Sequence, residues 1–283
     1  MKEKEKTQKR KGGKEMASDA GKQKKKEKDL IGQIPNGGWL LISLLVAMAL
    51  WKWLSINPKT SRSFPFLPEV LEALKTMVGR GVLWNDFSSS MISVVLGFAL
   101  GFVTSVPVAF LMAWYRPVRY IVEPWIQFIR NIPPLAYVPL VVISAGVGRR
   151  PQVIVIWLAT FLIMTVTIYQ GVRNVDETLI KAARVLGAKD NDLFVKVIFP
   201  ATTPFIITAV RLGVSVALTT LIAAESTGAI AGLGMRIRSL NNSFEVAPML
   251  LYIIIIGIIG LTSEKVIKYL ERKFTGWQET RNV

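Results

Sequence analysis

A helix needs about twenty apolar residues to cross the hydrocarbon of a bilayer. This chain supplies that pattern six times: Trp39–Leu54, Ser89–Tyr115, Tyr120–Val147, Gln152–Gly171, Pro204–Glu225 and Val246–Ile267. A soluble core absorbs one such run, not six. Lipid leaves a backbone no outside hydrogen-bond partner, so spans are helices or closed barrels, and runs of this length suit helices. The expected fold class is therefore an all-α integral membrane protein with six transmembrane helices. Composition narrows the chemistry. The chain has no cysteine and no histidine, which removes thiolate metal sites and the commonest general base. No G-x-x-x-x-G-K-[ST] phosphate loop occurs, so a self-contained enzyme or ATPase is not expected.

The net charge of +16 resembles a nucleic-acid signal, but its distribution argues against one. Residues 1–29 hold twelve Lys/Arg and six Asp/Glu and no aromatic residue. Residues 1–33 are expected to form a disordered basic tail, and residues 34–283 the membrane domain. Such a tail either touches anionic lipid or simply helps to set topology. With the N-terminus inside, twenty-four Lys/Arg fall on the cytoplasmic side and nine outside, so both termini are expected in the cytoplasm of a multi-pass cell-membrane protein. Arg149 and Arg150 fall outside, a local departure that topology does not explain.

The runs differ in character. Trp39, Trp51 and Trp53 flank the first like interfacial anchors. A proline-containing linker follows, then a surface helix opened by Pro68, with Val70, Leu71, Leu74, Met77 and Val78 on one face. Gly97 and Gly101 give the second run a small-residue face for close helix packing. Pro133, Pro134 and Pro139 in "RNIPPLAYVPL" predict a broken third span, buried against protein or a water-filled path.

Between the fourth and fifth runs lies the ordered polar stretch "KAARVLGAKDNDLFVKVIFP", within a loop spanning 173–203. The pattern predicts a helix capped by Asp176, with Leu179, Ala182, Ala183 and Leu186 along one face and Gly187 as its stop. Asp190 is expected to cap a second short helix through Val197, ended by Pro200. A helix–bend–helix of this kind either docks a soluble partner or packs on its own spans.

This stretch resembles the signature loop of the membrane subunits of bacterial ABC importers: E-A-A, three residues, Gly, nine residues, then I-x-L-P. Ala182, Ala183, Gly187 and Pro200 fall at the required spacing, while Lys181, Val197 and Phe199 depart from the usual Glu, Ile and Leu. "FIRNIPPLAYVPLVVISAGVG" and "LIAAESTGAIAGLG" resemble the branch that imports nitrate, taurine, alkanesulfonates or bicarbonate. The resemblance runs from about Phe64 to Trp277. It implies the type I importer transmembrane domain, a five-helix core with one added N-terminal helix. Lys181, Ala182, Ala183, Gly187, Asp190 and Pro200 would then form the ATPase-coupling loop. The implied partners are a second permease subunit, as a homodimer, two cytoplasmic ABC ATPases carrying ATP-Mg, an extracytoplasmic binding protein and membrane lipid. No cofactor in this chain and no nucleic acid are expected.

Polar residues inside the spans are candidates for the translocation path or gate: Arg130, Pro133, Pro134, Arg211, Thr219, Thr220 and Glu225. Each arginine either meets an anionic substrate or snorkels or makes a structural ion pair. The threonines either line the path or bond their own helix. Glu225 lines a gate, pairs with an arginine, or sits at the interface. The glycines of Ala229–Ile237 suit a tight re-entrant or surface turn, or an ordinary external loop. The leading function is a permease subunit importing a small oxyanion, and the alternative is a neutral or cationic molecule such as a vitamin precursor. An independent carrier or channel would need inverted repeats or conducting charges, and neither is visible. A plain membrane anchor has no use for the proline-broken span.

Overall fold

The computed structural model describes residues 36–274, so the expected basic tail lies outside the described residues. These residues contain helices and turns and no strand. They divide into two units, which are described separately.

The first unit contains α1 (Asn36–Ile56) and the turns after it. Leucines, valines and tryptophans cover α1 on nearly every side, so it is built to face lipid or another helix. Its end is closed by polar bonds. Trp51 Nε1 donates to the Pro65 carbonyl at 3.1 Å, and the Thr60 hydroxyl donates to the Leu54 carbonyl at 2.6 Å. Phe64 meets Trp51 edge to face.

The second unit begins with the amphipathic α2 (Leu67–Gly79), then α3 (Val82–Trp114), which starts several residues before the expected second span. The third apolar run is two helices, α4 (Arg116–Arg130) and α5 (Pro134–Ala145), bent by 105°. The break falls at Pro133, where ψ is 134° and no helix continues. Pro139 does not break anything and lies within α5. Next come α6 (Arg149–Arg173), α7 (Glu177–Val185) and α8 (Asp190–Leu193). A widened π-turn (Phe194–Ile198) leads into α9 (Phe199–Glu225), followed by α10 (Leu233–Asn242) and α11 (Val246–Phe274). Among the described residues five helices are long and apolar enough to cross a membrane, α1 of the first unit and four of the second, and counting the bent pair as one span makes six.

The core is α6 sandwiched between α3 and α9. Val155, Ile156, Met164, Ile168, Ala209 and Leu221 are sealed within it. Small residues permit the contact. A Cβ at Gly97 would stand 2.7 Å from Ile156 Cβ, and one at Gly101 would collide with Thr160. Gly213 of α9 likewise leaves room for Met164. The small-residue face read from the sequence is thus the α3–α6 seam.

One expectation is corrected here. Pro200 does not end a helix, because α8, the π-turn and α9 run on as one 36-residue span, Asp190–Glu225. Proline lacks an N–H and its ring crowds the carbonyl one turn back, and the widened turn just before it takes up that misfit. Pro200 sits in the first turn of α9, where its missing donor costs little.

Candidate functional site

Three polar features stand out along the unit, at the two ends and the flank of α9. With 27 residues, α9 is about 40 Å long, so the features at its ends are well separated.

At the start of α9 is the α7–α8 loop. Asp176 Oδ1 accepts the Thr178 backbone N–H at 2.7 Å, the expected N-cap. That N–H, with the Thr178 hydroxyl, holds the Asp176 carboxyl below its usual range. Gly187 stops the helix at φ +83°, its N–H reaching the Arg184 carbonyl while Ala188 N–H reaches the Ala183 carbonyl. Nothing lies within 4 Å of a Cβ placed there, so the need for glycine is conformational. Asp190 caps nothing. Lys189 holds the cap position of α8, and the Asp190 carboxylate is turned to Arg184 at 3.0 Å. Lys181 pairs with Glu177 on the surface.

The face of α7 grouped by spacing as Leu179, Ala182, Ala183 and Leu186 is divided. Ile180 and Ala183 pack on the bundle, whereas Ala182 and Leu179 are exposed. Val185 and Leu186 are each 87% exposed, and these two adjacent apolar side chains form the tip of the loop. Behind the tip the structure is firm. Leu193 and Ile198 are buried, and Phe194 and Phe199 pack on Phe110 of α3 with centroids 5.1 and 5.8 Å away. The second half of the loop, α8 and the π-turn, therefore runs into α9 without a break, and α7 joins it through the tight bend at Gly187.

On the flank of α9, facing α11, is a groove of about 340 Å³ lined in part by Arg211, Ser215, Thr219 and Glu264. It brings together two of the candidate path residues, Arg211 and Thr219. Arg211 makes an ion pair with Glu271, and its Nε is buried without an acceptor among the described residues. The Thr219 hydroxyl bonds the Ser215 carbonyl at 3.1 Å and faces outward. Thr220 is buried and does not line the groove. Arg130 and Pro133 are exposed at the α4–α5 elbow, Pro134 is half-buried there, and none of the three lines it.

At the far end of α9, Glu225 has zero exposure and does not line the α9–α11 groove. It accepts the Ser90 hydroxyl and the Gly234 N–H, both at 2.7 Å. It pairs with no arginine among the described residues. Beside it, Asp86 accepts Arg236 Nε at 2.8 Å, Tyr252 Oη at 3.0 Å and Gly232 N–H at 3.2 Å. The Asp86 carboxylate raises the Arg236 guanidinium above its usual range. This network binds α3, α9, α10 and α11 together. It also explains the "GLG" of the sequence: a Cβ at Gly232 would collide with the Glu225 carboxylate, and Gly234 must approach it closely. A turn at 226–228 leads through irregular backbone at 229–232, and α10 begins at Leu233, within the segment read as a turn or external loop. Asp86, Ser90, Arg236 and Tyr252 were not candidates from sequence. The available signal was a carboxylate and serines at 86, 90 and 93, one face of an otherwise apolar helix.

The second unit is thus an apolar helical bundle with an apolar-tipped loop at one end and a polar groove on its flank. Residues 105–276 match the family described as "Binding-protein-dependent transport system inner membrane component", and the chain belongs to that family. A probable ABC transporter permease protein of Brucella abortus is 41% identical over 243 residues, 86% of this chain and 92% of that one. The taurine transport system permease protein TauC of Escherichia coli is 33% identical over 82% of this chain and 87% of its own length. The bicarbonate transport system permease protein CmpB of Synechococcus elongatus is 27% identical over 68% of this chain and 69% of its own length. The fold is shared with an inward-facing MetNI methionine ABC transporter chain, with a TM-score of 0.60 at 17% identity, covering 69% of this chain and 96% of that one.

Proposed function

We propose that this permease is the membrane subunit through which an ATP-driven importer passes a small oxyanion such as taurine, an alkanesulfonate, nitrate or bicarbonate. The observation that carries the coupling part is the loop tip: Val185 and Leu186, exposed to 87%, at the end of α7 and one tight bend away from the helix that runs from Asp190 through α9. Large apolar side chains held out in this way fit a partner pocket. Two ATPase subunits, which hold ATP-Mg, dock on the loops of two copies of this chain. Their closure displaces α7, and α8, the π-turn and α9 carry the displacement along the membrane. Rigid-body rocking of this sort exposes the path alternately to the two sides. The α9–α11 groove supplies part of that path, with Arg211 N–H groups and the Ser215 hydroxyl as donors to an oxyanion. A binding protein delivers the substrate on the outer side, and both termini lie in the cytoplasm. The names of the TauC and CmpB relatives support the oxyanion class.

The test is reconstitution in liposomes with its cognate ATPase and binding protein. Uptake of labelled taurine, an alkanesulfonate, nitrate and bicarbonate is compared with that of a cationic vitamin precursor. Stimulation of ATP hydrolysis by one oxyanion is expected. Stimulation by the cation alone would overturn the substrate class, and an ATPase that never copurifies would overturn the subunit assignment.

A further inference from the structure

Arg149 and Arg150 open α6, immediately before its apolar stretch. Gly148 N–H bonds the Gly228 carbonyl at 2.9 Å, so the pair belongs to the same end of the bundle as α10 and Glu225. Both side chains are exposed, and neither has a carboxylate within ion-pair distance among the described residues. Cations elsewhere in the spans are held differently: Arg211, within α9, by Glu271 and Lys268, near the end of α11, by Glu264. The two arginines form the polar end of an open cleft of about 550 Å³ between α3, α5 and α6. Its other walls include Leu96, Val153 and Ile154. Ile143 and Val147 nearby are 81% and 71% exposed, so the cleft continues into lipid-facing surface.

From this juxtaposition of two unpaired guanidiniums and an apolar cleft at the end of a span, we propose that the site holds the headgroup phosphate of an anionic phospholipid. Guanidinium forks match the oxygens of a tetrahedral oxyanion, and arginines at a membrane boundary have reason to seek one. A free oxyanion presents the same charge but leaves Leu96, Val153 and Ile154 uncovered. A phospholipid puts its phosphate on the arginines and its chains along those residues. This also gives Arg149 and Arg150 a role on the side of the membrane where the charge bias disfavours them.

The test is native mass spectrometry of the full chain in detergent, titrated with phosphatidylglycerol or with phosphatidylcholine of the same acyl chains. The wild-type protein is expected to retain phosphatidylglycerol at least about tenfold more strongly, the scale that two basic contacts near a membrane surface provide. An Arg149→Gln/Arg150→Gln variant is expected to lose that preference, and an Arg149→Lys/Arg150→Lys variant to keep it. Inorganic phosphate and taurine at millimolar concentration are expected not to displace the lipid. Equal retention of the two lipids by the wild type, or an unchanged preference in the Gln variant, would overturn the proposal. Displacement by phosphate or taurine would mark a site for free oxyanions and overturn the lipid assignment. If the Gln variant fails to purify, the wild-type lipid comparison and the displacement arms decide.

Discussion

Replacing Asp86 by alanine removes the centre of the network at the far end of α9. Four contacts disappear with it: two from Arg236, one from Tyr252 and one from the Gly232 N–H. Asp86 and Tyr252 have zero exposure, so the Tyr252 hydroxyl is left without a partner away from water. Breaking a buried ion pair by deleting one member costs about 3–5 kcal/mol. Arg236 is 28% exposed and recovers some solvation, which places the expected loss near the lower end, about 3 kcal/mol. For a chain of this size that corresponds to a fall in Tm of roughly 6–12 °C. The assay is thermal unfolding in detergent, followed by tryptophan fluorescence and by size-exclusion recovery. Asp86→Asn keeps the shape and an acceptor for Tyr252, and is expected to lose about half as much. Adding Arg236→Ala to Asp86→Ala is expected to cost little more, because the two residues share one interaction. A shift below about 1 °C for Asp86→Ala, or full additivity with Arg236→Ala, would refute the reasoning that this carboxylate locks α10 in place.

Glu225→Ala strands the Ser90 hydroxyl and the Gly234 N–H in a site without water access, and is expected to lower stability by about 2 kcal/mol or more in the same assay. Gly101→Val forces a side chain into Thr160 and is expected to cut the yield of monodisperse protein sharply, whereas Gly257→Ala, with nothing within 4 Å, is expected to be neutral. Arg211→Ala is expected to slow uptake by about tenfold with normal insertion, the scale of one lost charged hydrogen bond. Thr220→Val, buried away from the groove, is expected to leave uptake within about twofold, so equal losses at both positions would argue against the groove as the path.

The spans were legible because crossing a bilayer demands about twenty apolar residues, a constraint local to each run. The elbow was legible because Pro133 acts on its own backbone, and the Asp176 cap and the Gly187 stop for the same reason. What escaped depends on partners distant in the chain. The Asp86–Arg236 bond joins residues 150 apart and the Ser90–Glu225 bond residues 135 apart, and no periodicity announces either. Pro200 looked like a helix end because its usual effect is local. Here a π-turn, fixed by Phe194 and Phe199 against Phe110, absorbs the misfit. Leu186 was placed on one face with Leu179, Ala182 and Ala183 by helical spacing. It lies at the C-cap, beyond the last helical residue, where that spacing no longer sets direction.

The most direct test of the coupling claim changes only the loop tip. Leu186→Asp, alone and with Val185→Asp, alters side chains that touch little of the bundle, so insertion and Tm are expected to match the wild type. An apolar anchor at the centre of a docking surface is worth about 2 kcal/mol or more, over tenfold in affinity. Copurification of the ATPase should be quantified against permease abundance in the same membranes. The account predicts at least a tenfold loss of bound ATPase, together with loss of substrate-stimulated ATP hydrolysis. A double variant that holds the ATPase as well as the wild type, at normal abundance, would contradict it.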